Sequence, residues 1–312
     1  MAFDYLVYGV PVTANQSLPH LVARPHGDLD SLLDIKLGCE APSGVDRIRY
    51  GDHRGVLDVG ISSGGHRVWM NLRGDDNPGT IGDVTGVLVG PVLGGLLRLW
   101  RRVSLHGCVV ASGGSAVVIL GRRGAGKSTL AAAMARAGHP VLSDDLAALS
   151  ERAPEDWWVE PGYPRLRLAP DSAAFLLSDS DRAPDAGPVV TGSQRRYVSL
   201  DADGRRGWCF GSEGMDLAAV YELQRASGCG APRVSPLAGA ESMATLVRHL
   251  KPAVVPLPPA TRAHELKQLA RLAAAISVRR LLVPDGYSHL ADACALLDED
   301  SGGVRPRSRM AQ

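Results

Sequence analysis

Eight consecutive residues, Gly121, Arg122, Arg123, Gly124, Ala125, Gly126, Lys127 and Ser128, satisfy the pattern G-x-x-x-x-G-K-[ST]. The chemistry these types allow is the binding of a polyphosphate such as that of ATP. Glycines let the backbone curl so that successive N–H groups face one concavity, and the Lys127 ammonium reaches the outer phosphates. Ser128 offers a hydroxyl to Mg²⁺, and Thr129 extends the nucleotide-binding set. A helix starting near Lys127 adds the partial positive charge of its N-terminus, worth roughly 0.3–1 kcal/mol per anionic group at an exposed site. Further along, Ser143, Asp144 and Asp145 close a short apolar run. Two carboxylates beside a triphosphate repel it unless a metal intervenes or one of them is a base. One can hold Mg²⁺ directly or through water, and the other can take the proton of an attacking hydroxyl, a contribution of roughly 10²–10⁴ in rate. The same pair could instead cap the following LAALS segment, for which one acid suffices.

The flanking sequence supplies the elements such a loop needs. CVVAS, a Gly-Gly turn and AVVIL read as two strands without alternation, so they are expected to be buried on both faces of a sheet covered by helices. KSTLAAAMARAGH reads as a helix that Gly138 can end, and PVLSDDLAAL as a further short strand, which completes a βαβ unit. Ligands of open α/β sheets bind at the edge where loop and acidic pair then meet. Before this unit, FDYLVYGVPV, LLDIKLG and HRVWMNL have strand character with turn-rich pieces such as DNPGTIGD between them. The spacing of Leu88, Val92, Leu96, Leu99 and Trp100 predicts a helix from Thr85 to Val103 despite its glycines. After the unit, YPRLRLAP, RRYVSLD, LAAVYELQ and VRRLLVP read as strands. Helices are predicted over 238–250, over 261–276 with Leu266, Leu269, Leu272 and Ile276 on one face, and over SHLADACALLDE. The expected organisation is a β-rich region over 1–103, a phosphate-loop core over 104–235, a helical part over 236–298 and a frayed tail over 299–312.

The stretch LHGCVV followed by AVVILGRRGAGKSTLAAAMARAGHPVLSDDLAAL resembles the catalytic core of HPr kinase/phosphorylase, with Arg136, Ala137, Gly138, His139, Asp144 and Asp145 in its second motif. The resemblance implies an α/β fold with a P-loop kinase core of the HPr kinase type, a mixed sheet with flanking helices, preceded by a small β-rich region. It implies Asp145 as the base, Lys127 as the phosphate ligand, Ser128 and Asp144 as magnesium ligands and His106 as an auxiliary catalytic residue. Glu160, before Pro161 and Gly162, stands by analogy for a further magnesium-binding acid. A closer likeness, through Asp4 to Val12, Val89 to Trp100 and Pro161 to Leu168, is to the HPr-kinase-related proteins of lasso-peptide clusters. Those phosphorylate a serine of a precursor peptide. What the resemblance implies is therefore an ATP- and Mg²⁺-dependent serine kinase acting on a peptide or small protein. Two departures stand out: Thr129 replaces an acid, and Gly214, Met215, Asp216, Leu217 and Ala218 replace a G-R-N-L-A segment without its arginine. Arg195 and Arg196 could supply that cation or form a solvated strand end.

Other readings remain open at this level: an HPr-type or small-molecule kinase, or a regulatory module that binds ATP without transferring phosphate. Charge narrows the field, since 34 Lys+Arg against 33 Asp+Glu leave a formal net charge of +1, and a dedicated nucleic-acid binder is not expected. No signal peptide is expected, since Met1 to Gln16 lacks a basic leader and a continuous apolar core and carries Asp4, and no membrane span is expected, because the apolar stretch from Val84 to Leu97 is broken by Gly86, Gly90, Pro91, Gly94 and Gly95. Five scattered cysteines without a CxxC pair fit reduced thiols in a cytoplasmic protein. A homo-oligomer is left open. His139 reads as a helix-end residue, and Trp157 and Trp158 as packing residues. Arg165 and Arg167 share one strand face and read either as a solvated face or as cations for phosphate.

Overall fold

The computed structural model describes residues 2–24, 30–52, 55–74, 80–178, 186–189, 194–201, 207–228 and 230–302. Strands β1 (Phe3–Val7), β2 (Val10–Ala14), β3 (Leu33–Leu37), β4 (Asp46–Asp52), β5 (Gly55–Ile61) and β6 (Arg67–Gly74) form one mixed sheet in the order β1-β2-β3-β6-β5-β4. Tyr8 and Gly9 join β1 to β2 with φ of 53° and 65°, the two positive values that a tight hairpin turn needs to match strand twist. Strands β4 and β5 were not expected from sequence. β4 reads DRIRYGD, with exposed Arg47 and Arg49 on one face of an edge strand, and edge strands carry such charges without losing their pairing.

The inner face of this sheet packs on a helical segment made of α1 (Thr80–Val87), a π-helical turn at Leu88–Val92 that contains Pro91, and α2 (Leu93–Leu99). The helix predicted over Thr85 to Val103 therefore starts earlier and stops earlier. Arg101 has φ 61° and the Arg102 N–H donates to Leu97 O at 2.8 Å, so the chain turns out of the helix and Val103 already lies in β7 (Val103–Leu105). Of the turn piece DNPGTIGD, residues 76–79 lie outside the described residues and Thr80 to Asp83 belong to α1.

A second sheet is built from β7, β8 (Gly107–Ser112), β9 (Ser115–Leu120), and, after α3 (Lys127–Arg136), β10 (Val141–Ser143), β11 (Ala147–Ala153) and β12 (Asp156–Glu160). Next come β13 (Arg165–Leu168), α4 (Pro170–Leu177), β14 (Ala186–Val189) and β15 (Arg196–Ser199), whose strands form a small separate sheet. The chain returns through β16 (Met215–Arg225), β17 (Arg233–Pro236), α5 (Ala240–Arg248), α6 (Pro259–Ala275), β18 (Ser277–Val283) and α7 (Leu290–Gly302). The second sheet runs β10-β8-β9-β16-β12-β11-β7, with β18 beside β16 and β17 on its outer side. β16 is parallel to both β9 and β18, while the other pairings are antiparallel, so the molecule is mixed α/β.

Every residue of β8 and β9 is buried, as their unbroken apolar runs predict. LAALS does not start a helix after Asp145; it enters β11, so helix capping does not explain the acidic pair. In α6, Leu269 and Leu272 are buried but Leu266 is 49% exposed, and Glu265 takes the inward place by pairing with Arg98 at 2.6 Å. The part over 236–298 contributes β18 to the central sheet as well as helices. α7 continues to Gly302, and 303–312 lie outside the described residues. Cys39, Cys108, Cys209 and Cys294 form no disulfide among the described residues, Cys229 lies outside them, and no helix among them is long and apolar enough to cross a membrane.

Candidate active site

The loop between β9 and α3 lies at the end of a buried strand, with its two neighbours fixing its shape. Gly124 and Gly126 have φ of 85° and 98°, values that favour glycine. A side chain on Gly126 would also meet Arg225 Nη2 at 2.7 Å. Arg225 ends β16, donates from Nε to Ala125 O at 3.1 Å and from Nη1 to Pro284 O at 2.9 Å, and so ties the loop to the segment after β18. Sequence reasoning missed Arg225. The only signal for it is that a strand parallel to β9 ends at the same sheet edge as the loop.

Lys127 is buried, and its Nζ donates to Gly121 O at 2.8 Å and more weakly to Arg122 O at 3.4 Å. Burial pushes this ammonium below the usual lysine range, against the pull of Asp144 and Asp145. Ser128 Oγ donates to Asp144 Oδ1 at 2.8 Å. The same carboxylate accepts from the Cys108 thiol at 3.0 Å and, on Oδ2, from the Arg167 N–H at 2.8 Å. At 2% exposed, Asp144 needs such donors. Thr129 Oγ1 lies 2.9 Å from Ser172 Oγ of α4, which anchors the first turn of α3.

Asp145 sits at φ 75° between β10 and β11 and is surrounded by cations. Its Oδ2 lies 2.7 Å from Arg167 Nη2 and 2.6 Å from Lys251 Nζ, and its Oδ1 lies 3.1 Å from His106 Nδ1. Burial alone would raise this carboxyl, but Arg167, His106 and Lys251 outweigh it and hold the group well below the usual carboxylate range. A carboxylate held down in the fold contributes stability in full above its unfolded pKa of about 3.9 and loses it as pH falls through the folded value. Wild-type stability is therefore expected to fall more steeply below about pH 4 than that of Asp145→Asn, read from urea midpoints at a series of acid pH values. Parallel curves would contradict the ion cluster.

These groups border one open cavity of about 690 Å³. Lys127, Arg123, Arg167, Arg195 and Arg225 line it together with Asp144, Asp145 and Asp285, and Ser128, Thr129, Gly124, Gly126 and His106 are also on its wall. Cations exceed acids there, in a protein whose total charge nearly balances. Such a wall suits a polyanion. Gly121, Arg122 and Ala125 belong to the loop but do not line the cavity.

Glu160, expected near magnesium, is elsewhere. It pairs with Ala148 at the end of β12, and its Cδ lies 2.7 Å from where a side chain on Gly9 would begin, so it packs against the β1–β2 turn. The antiparallel return of β12 beside β11 carries it there. Arg195 reaches the cavity and Arg196 does not. Trp157 is buried in the sheet core, Trp158 lies under Arg152 at 3.9 Å, and His139 Nδ1 is 3.2 Å from Ala111 O, all away from the cavity.

Among the described residues no cluster of three His, Cys, Asp or Glu could cage a metal. Mg²⁺ does not need one, because it commonly keeps several waters and binds one or two protein oxygens plus substrate phosphates. The adjacent Ser128 Oγ and Asp144 Oδ1 are oxygen donors of that kind. Asp145, occupied by Arg167, Lys251 and His106, is not.

No protein-family model matches the chain, and no curated protein matches it. Among solved structures it is similar to the Hpr(Ser) kinase/phosphatase from Coxiella burnetii, at 11% identity and a TM-score of 0.31, over 66% of this chain and 96% of that one. At that score the likeness carries no argument, and the chemistry of the site rests on its own geometry.

Proposed function

We propose that this protein is a phosphotransferase that moves the γ-phosphoryl group of Mg²⁺-bound ATP to a serine hydroxyl of a peptide, of the lasso-precursor type. The observation that supports it best is the cavity itself: a glycine loop and buried lysine at a helix N-terminus, ringed by arginines, with an ionised carboxylate at the same wall. A bound nucleotide would supply the activated phosphoryl group, and Mg²⁺ on Ser128 and Asp144 would offset charge on its phosphates. The loop N–H groups and Lys127 orient the phosphates, and Arg123, Arg195 and Arg225 add positive charge where negative charge gathers. Asp145 orients the attacking hydroxyl and takes its proton late. Little basicity is needed for that, because bond-making to the nucleophile lags in a loose phosphoryl transition state. His106, 3.1 Å from Asp145, holds that carboxylate in place.

The test is mass spectrometry of the protein with Mg·ATP and serine-containing peptides encoded beside its gene. One phosphoryl group is expected on a peptide serine, absent with Lys127→Ala and with Asp145→Asn. ATP binding without transfer to any peptide would overturn the peptide-kinase reading in favour of another acceptor or a regulatory ATP-binding module.

A further inference from the structure

Two cations share one oxygen of Asp145, and they are held in different ways. Lys251 is 5% exposed, does not line the cavity, and touches both Asp145 Oδ2 at 2.6 Å and Asp145 O at 3.1 Å. Its stem is wedged against α2, where a side chain on Gly94 would meet Lys251 Cγ at 2.6 Å. Its backbone is stitched to β7: the Lys251 N–H donates to Ser104 O at 2.9 Å and the His106 N–H to His249 O at 2.6 Å. Lys251 is thus a fixed counter-ion.

Arg167 is built otherwise. Its backbone is pinned to Asp144 Oδ2, but its side chain lines the cavity, with Nη2 on Asp145 and a buried Nε that has no hydrogen-bond partner among the described residues. A guanidinium nitrogen without a protein acceptor, on a side chain that lines the cavity, leaves a donor that an incoming ligand's oxygen can satisfy. The planar fork of arginine matches phosphate oxygens in paired hydrogen bonds, which the ammonium of Lys251 cannot do.

We infer that Arg167 is a sensor of the terminal phosphate: when a triphosphate occupies the cavity its guanidinium turns from Asp145 to the phosphate oxygens, while Lys251 stays and keeps the carboxylate in place. Asp145 then loses one of its two counter-ions only when there is a phosphoryl group to transfer, which couples the base to occupancy and disfavours its action on an empty site. This rests on the phosphotransferase reading, and it assigns to Arg167 a positioning and sensing role that the loop motif does not contain.

The experiment measures equilibrium binding of a non-hydrolysable ATP analogue and of ADP, each with Mg²⁺, to the wild type, Arg167→Met, Arg167→Lys and Lys251→Met, with thermal melts to verify folding. Arg167→Met is expected to weaken the triphosphate by about tenfold or more and ADP by less than about threefold. Arg167→Lys, which keeps the charge, should lose much of the same discrimination. Lys251→Met should leave the ratio of the two affinities near the wild-type value. Equal losses for both nucleotides in the arginine variants overturn the sensor assignment while leaving the phosphate loop intact. So does a loss of discrimination in Lys251→Met. A wild type that binds neither nucleotide overturns the phosphotransferase reading and this inference together.

Discussion

Asp145→Asn is expected to lower phosphoryl transfer at least about a hundredfold while leaving nucleotide affinity within about threefold of the wild type. The amide keeps the shape of the side chain, so the φ of 75° and the turn from β10 to β11 remain. It cannot take a proton, and it leaves Arg167, Lys251 and His106 around a neutral group. That surplus positive charge lies beside the cavity proposed to hold the nucleotide, so binding is expected to be spared even as chemistry fails. Single-turnover rates set beside equilibrium binding separate the two effects. A variant with near-normal turnover would remove Asp145 from the chemistry and leave it a structural ion-pair residue.

Lys127→Met is the second large effect, and it acts on binding as well as on rate. Methionine fills a similar volume, so the first turn of α3 keeps its packing. What is lost is an ammonium that now donates to Gly121 O and Arg122 O and that a nucleotide would draw toward its phosphates. Removing one preorganised donor from a developing oxyanion costs about 10²–10³ in rate, and loss of the charged contact is expected to weaken ATP about tenfold or more. Titration of ATP and a single-turnover assay on the same preparation read both. Unchanged affinity would mean that Lys127 merely braces the loop.

The two variants touch the site from opposite sides of its construction. Lys127 belongs to a strand, loop and helix contiguous in sequence. Asp145 owes its environment to three distant segments and to the helix of the first region. Gly86, Gly90 and Gly94, spaced by four, lie where side chains would meet Tyr197 OH at 2.7 Å, Asp145 Oδ2 at 3.3 Å and Lys251 Cγ at 2.6 Å. The glycines that break the apolar stretch from Val84 to Leu97 thus let that helical segment lie directly on the acidic residue and its lysine. The turn of β1–β2 adds a second contact: the Tyr8 N–H donates to Pro161 O at 2.7 Å and its hydroxyl lies 3.4 Å from Ser143 Oγ.

What the residues alone determined is whatever short-range rules decide. Strands β8 and β9 follow from unbroken β-branched runs, the loop from glycines that relieve local backbone restraint, α3 from its alanines and its glycine stop, and the acidic pair at the loop's edge of the sheet from a single βαβ unit. Tertiary structure decided the rest. It placed LAALS in a strand because β11 finds partners in β7 and β12. It turned Glu160 toward Gly9, exposed Leu266 in favour of the Glu265–Arg98 pair, and brought Arg167 and Arg225 to the cavity wall and Lys251 onto Asp145. Arg225 and Lys251 stand in segments with no local mark of function, and the alternation of Arg165 and Arg167 left both a solvated face and a phosphate contact readable. These placements depend on sheet order and register, which arise from pairings between residues far apart in the chain and which hydrophobic periodicity within a short window cannot encode.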